Sequence, residues 1–132
     1  MIGVDTNVLM RYLVQDDEAQ HRRAVAVMDA RTADEPVYLS WVTLLETTWL
    51  LRRKYGMPRG ELLRAVTSLL VDKTVVIQEG DLVAAAVELA SSSRTELADA
   101  LVAVAGHRAG CQWTYTFDQQ AARRLDDLVL VP

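Results

Sequence analysis

Short runs rich in β-branched residues alternate with helix-length amphipathic stretches along the whole chain, and this alternation restricts the fold more than any other feature. Residues 2–5 read as a short buried strand, after which Asp5 or Thr6 caps a helix through Val8, Leu9, Tyr12 and Leu13. Gln15-Asp16-Asp17 breaks it, and a second helix runs to about Ala30. Val37-Tyr38-Leu39 is the next strand; Ser40 then caps a helix over 41–55 that stops at Gly56. Pro58 opens a helix over 59–71 whose apolar face is Leu62, Leu63, Val66, Leu69 and Leu70. Thr74 to Ile77 is a strand, 80–91 a helix, Ser91-Ser92-Ser93 a break, and 96–109 a helix ended by Gly110. Residues 112–116 form a fourth strand, 119–125 a short helix and 128–131 a last strand. Such alternation predicts βαβ units and a mainly parallel sheet, an α/β fold whose ligands gather at the carboxyl ends of the strands.

Length and composition bound the rest. A chain of 132 residues, 51% hydrophobic and 24% charged, suits one globular domain over 1–132 with a sizeable core. No apolar run approaches the ~20 residues of a membrane span. Asp5 interrupts the apolar N-terminus before a signal peptide could form. Cys111 is the only cysteine, so no internal disulfide is possible and a reducing, cytoplasmic setting is expected. It reads as a small buried hydrophobe at the start of a strand rather than a catalytic thiol.

Four carboxylates stand out because they adjoin or interrupt apolar runs. Asp5 follows Met1-Ile2-Gly3-Val4, Glu46 lies within 41–51, Asp99 within 97–105, and Asp118 closes Trp113-Thr114-Tyr115-Thr116-Phe117. Asp5 and Asp118 each have an ordinary alternative as helix N-caps, and Asp99 as a first-turn acid favoured by the helix dipole. Glu46 has neither; its neighbours one turn away are Val42, Trp49 and Leu50, which places it on an apolar face. A shared site explains all four, and carboxylates that close require protonation or a cation.

All-oxygen donors select Mg²⁺ or Mn²⁺ over zinc. His21 and His107 lack a paired ligand at metal spacing. A carboxylate-held ion of this kind can activate water and stabilise the leaving oxygen of a phosphodiester. With no Gly-rich phosphate loop, metal-assisted phosphodiester hydrolysis is the reaction class best supported. The net charge of −4 argues against general nucleic-acid affinity, yet Arg52, Arg53, Lys54, Arg59 and Arg64 stand against a single acid, Glu61, within 52–64. Each suits a solvated helix surface; taken with the acidic site, the run in 52–64, Arg52, Arg53 and Lys54 included, is a candidate for phosphate contacts.

Val4-Asp5-Thr6-Asn7-Val8-Leu9, the helical Glu46, Leu97-Ala98-Asp99-Ala100-Leu101 and Thr116-Phe117-Asp118, in this order over the full length, resemble the PIN-domain nucleases. More narrowly the chain resembles the VapC toxins of toxin–antitoxin pairs. The resemblance implies a five-stranded mainly parallel sheet flanked by about seven helices, and a Mg²⁺- or Mn²⁺-dependent endoribonuclease. It assigns metal binding to Asp5, Glu46 and Asp99 with Asp118 as a fourth acid, site orientation to Thr116, and support of the first acid to Thr6 and Asn7. It further implies an RNA substrate, a homodimer and a cognate antitoxin. A PIN nuclease of RNA processing or decay, a non-catalytic PIN scaffold and a small-substrate phosphatase remain alternatives at this point. Trp41, Trp49 and Tyr12 are expected in the core by default.

Overall fold

Side-chain caps start four of the seven helices in the computed structural model, which describes residues 1–132. The order is β1 (Ile2–Gly3), α1 (Thr6–Leu13), α2 (Glu18–Asp29), β2 (Val37–Leu39), α3 (Trp41–Arg53), α4 (Arg59–Val71), β3 (Val75–Ile77), α5 (Gly80–Ser93), α6 (Leu97–Arg108), β4 (Thr114–Thr116), α7 (Gln119–Arg124) and β5 (Leu128–Leu130). The carboxylates of Asp5, Asp17 and Asp118 accept from the backbone N–H three residues on, and the Ser40 hydroxyl does the same for α3. Each bond satisfies one of the donors that a helix start leaves without an internal partner. Gly56, at φ +61°, takes the left-handed turn beyond α3.

The chain forms two compact units, Met1–Gly80 and Asp81–Pro132. In the first, β1, β2 and β3 form a parallel sheet in that order, with Ile2 beside Val37 and Val37 beside Val75. Central β2 buries Val37 and Leu39 completely. Met10 of α1, Leu51 of α3 and Leu62 of α4 form one cluster, flanked by Leu13, Val14, Leu50, Tyr55 and Met57. Before β3, Asp72 Oδ1 accepts from the Thr74 N–H at 2.8 Å and its hydroxyl at 2.7 Å, fixing the turn into the strand.

In the second unit, β4 and β5 pair in parallel with Thr114 beside Leu128 and Thr116 beside Leu130. Ala103 of α6, Ala121 and Leu125 at α7, and Leu128 of β5 make its core, with Leu89 of α5 against them. Gly106 of α6 lies so close to β4 that a Cβ there would meet Thr114 Oγ1 at 2.6 Å.

Five parallel strands and seven helices agree with the α/β, PIN-like expectation; the strands hydrogen-bond as a ladder of three and a ladder of two. Several local expectations need correction. Residues 91–93 do not break the helix, because the Ser92 and Ser93 hydroxyls donate back to the Leu89 carbonyl and let α5 continue. The chain turns at Arg94 instead, with φ +56°. Strand β4 starts at Thr114, so Cys111 lies before it in an exposed loop rather than buried in a strand. Leu70 is half-buried, as are Tyr12 and Trp41, whereas Trp49 is exposed. No helix is long and apolar enough to cross a membrane.

Candidate metal centre

The first pair of acids lies at the carboxyl edge of the three-stranded sheet. Asp5 follows β1 and caps α1, its Oδ1 accepting from the Val8 N–H at 3.0 Å. Because β2 is parallel to β1, the helix leaving β2 starts at the same edge. The Thr43 hydroxyl of α3 reaches the Val4 carbonyl at 3.4 Å and ties the two elements together. One turn further along α3, Glu46 Oε2 accepts a hydrogen bond from Thr6 Oγ1 at 2.7 Å, 40 residues away in sequence. Thr6 is buried and occupies the first position of α1, directly after Asp5. This bond therefore brings the second acid to the residue next to the first. The resemblance assigns Thr6 to the support of Asp5; its hydroxyl holds Glu46 instead.

The second pair belongs to the other unit. Asp118 caps α7, with Oδ1 accepting from the Ala121 N–H at 2.9 Å, and its own N–H donates to Thr116 Oγ1 at 3.0 Å. Thr116 thus fixes the backbone at Asp118. Asp99 stands in the first turn of α6 and is half-buried. Burial pushes its carboxyl above the ordinary carboxylate range, and the negative charges of Asp118 and Glu96 add to the shift.

The apolar surroundings of these acids in sequence do not translate into burial for all of them. Asp5, Glu46 and Asp118 are exposed. For Glu46 the reason lies in α3, whose buried face is Thr43, Leu44, Thr47, Thr48 and Leu51. The Thr43 and Thr48 hydroxyls find backbone acceptors on the Val4 and Leu45 carbonyls at 3.4 and 2.9 Å, whereas the buried Thr47 hydroxyl has no partner. The apolar Val42 and Trp49 consequently share the open face with Glu46, 74% and 60% exposed. Helical spacing placed all three side by side, but their polarity pointed to the wrong face as the buried one.

Carboxylate oxygens of this kind suit a hard divalent ion. Asp5, Glu46 and Asp118 each hold one carboxylate oxygen in a hydrogen bond and present the other, an arrangement that fixes the orientation of a single-oxygen ligand. No group of three His, Cys, Asp or Glu side chains is gathered to hold a metal ion. His21 is engaged locally, its Nδ1 lying 2.7 Å from the Arg11 carbonyl, and His107 lies 3.5 Å from Asp127.

The basic run divides by role. Arg52 Nη1 donates to the Met57 carbonyl at 2.7 Å, closing the turn after α3. Arg53 and Lys54 are exposed, and the Lys54 ammonium stands 5.6 Å from the centre of the Tyr55 ring. Sequence reasoning named Arg52 together with the other two, but its structural bond sets it apart. It missed Thr6 as the partner of Glu46, since nothing in the sequence states which helix lies against the start of α1.

Among solved structures, the chain is similar to VapC20 of Mycobacterium tuberculosis, described as a sarcin-ricin loop cleaving toxin. The two share 26% identity over 93% of this chain and 94% of that one, with a TM-score of 0.47. No curated protein matches the chain significantly. The family model of the PIN domain matches residues 2–128, nearly the full length. The chain therefore belongs to the PIN-domain family.

Proposed function

We propose that residues 1–132 act as one PIN domain, a Mg²⁺- or Mn²⁺-dependent endoribonuclease serving as the toxin of a toxin–antitoxin pair. The observation that carries the nuclease reading is the 2.7 Å bond from Thr6 to Glu46, which holds an exposed carboxylate next to Asp5 at the carboxyl edge of a parallel sheet. An acid held there, with an oxygen left unbonded, has no role in the core or in helix capping. PIN-family membership supports nuclease chemistry for it. By motif match, Asp5, Glu46, Asp99 and Asp118 are the ligands, and Thr116 sets the position of Asp118. When bound, the ion would supply activation of a water and charge stabilisation at the phosphodiester. The caps at Asp5 and Asp118 and the hydroxyl at Glu46 orient three of the four carboxylates in advance. The toxin reading rests on the motif set, and it brings with it a cytoplasmic setting, a homodimer and a cognate antitoxin as partner.

Purified protein should cleave single-stranded RNA with Mn²⁺, lose activity in EDTA, and leave a chromogenic phosphomonoester untouched. Asp5→Asn and Asp99→Asn should each abolish cleavage. Mapping of 5′ ends in total RNA after expression, beside the Asp5→Asn control, identifies the RNA cut. Cleavage retained by both variants would defeat the assignment. Cleavage without growth arrest on expression would favour an RNA-processing nuclease over a toxin.

A further inference from the structure

On the open face of α3, Val42, Glu46, Trp49 and Arg53 succeed one another at intervals of four, three and four residues, which keeps them on one stripe of the helix. Trp49 is 60% exposed and Arg53 is exposed, while the opposite face carries the buried threonines and leucines. From Glu46 the Cα of Trp49 lies about 4.5 Å along the axis and that of Arg53 about 10.5 Å, at roughly 1.5 Å per residue. That span equals about three nucleotides of a stacked strand at about 3.4 Å each. An indole this exposed contributes little to folding, and α3 has an adequate buried face without it.

We propose that Trp49 is a positioning residue for the RNA substrate: its ring stacks on a nucleobase beside the phosphate at Glu46, and Arg53 takes a phosphate further along the strand. The inference rests on the nuclease reading above. Two features favour RNA over a protein partner. A protein anchored on Trp49 and Val42 would have to cover the Glu46 carboxylate between them, and desolvating a charge there is costly. A nucleic acid brings bases for the ring and phosphates for Arg53, while the carboxylate stays at the ion it is proposed to bind. Stacking on an aromatic ring is tolerant of base identity, so this contact sets position more than sequence.

The test uses Asp5→Asn protein, in which asparagine can still cap α1, titrated with a fluorescein-labelled single-stranded 12-mer of adenylate and with an abasic 12-mer of the same backbone. Adding Trp49→Ala should weaken binding of the adenylate oligomer about tenfold and leave the abasic oligomer unchanged. Trp49→Phe should recover most of the loss. Arg53→Gln should weaken both oligomers and lower the salt slope by about 0.7. Equal losses on both oligomers, or none, overturn the proposal. So does a Trp49→Ala effect confined to oligomer mass or to capture of a co-expressed antitoxin. A wild-type chain that cleaves RNA while Trp49→Ala binds normally sinks this inference alone; a wild-type chain that neither binds nor cleaves RNA sinks the nuclease reading with it.

Discussion

Thr6 at the start of α1 donates its hydroxyl proton to Glu46 of α3 at 2.7 Å, joining two helices through a pair of residues 40 positions apart. A hydrogen bond to an ionised carboxylate is among the stronger kinds, and here it also sets which oxygen stays available. Thr6→Val keeps the shape and removes the donor. We expect RNA cleavage to fall about tenfold and stability to fall by about 1–2 kcal/mol, while Thr6→Ser restores most of the activity. Full activity in Thr6→Val, read with a thermal melt to exclude a folding change, would show that Glu46 is oriented by something else.

Asp99 gives the metal-free protein a pH dependence of definite sign. Its carboxyl is raised in the folded state by burial and by the charge of Asp118, so ionisation destabilises the fold. The penalty is fully present above the raised value and is lost as pH falls below the usual Asp value of 3.8. In EDTA, Asp99→Asn should therefore melt higher than wild type at pH 7 and lose that advantage near about pH 3. An advantage that persists unchanged into acid would point to packing rather than charge.

Asp118→Asn removes one of the charges acting on Asp99 while preserving a capping side chain at α7. The Asp99 carboxyl should then titrate lower than in wild type, measured by side-chain NMR in the absence of metal. No change would mean that burial and Glu96 raise it without a contribution from Asp118.

The cations after α3 should separate in mutagenesis. Arg52→Ala loses the bond to the Met57 carbonyl and should cost about 1–2 kcal/mol of stability in a denaturant titration. Arg53 and Lys54 make no such backbone bond, and replacing them should leave stability within about 0.5 kcal/mol while reducing the salt dependence of RNA binding. Arg52→Ala that matches the other two in both readouts would remove the distinction.

Gly106 marks the closest approach of α6 to β4. A methyl group there would meet Thr114 Oγ1 at 2.6 Å, so Gly106→Ala should destabilise the protein by about 1–3 kcal/mol. Thr114→Ala placed in the same chain should recover part of the loss. Additive effects of the two changes would show that the helix and strand do not meet as described.

What the sequence determined alone are features whose causes lie within a few residues. Asp5, Ser40 and Asp118 cap their helices by bonding N–H groups three residues away, so the starts of α1, α3 and α7 were legible from side-chain type; Asp17, read only as part of a break, caps α2 in the same way. The alternation of strands and helices, and the position of each acid relative to a strand end, followed from the same local rules. The misjudged break at Ser91–Ser93 has a local cause too, since serine can either interrupt a helix or bond back into it. Only the tertiary structure decided which face of α3 is covered. There Thr43, Thr47 and Thr48 are covered, the first and last with backbone acceptors and Thr47 Oγ1 with none, while Val42, Glu46 and Trp49 stay open, against the order of hydrophobicity. It also decided that Thr6 serves Glu46, because a contact across 40 residues depends on two parallel strands delivering their helices to one edge. Periodicity shows which residues share a face; what lies against that face is set by chain segments remote in sequence.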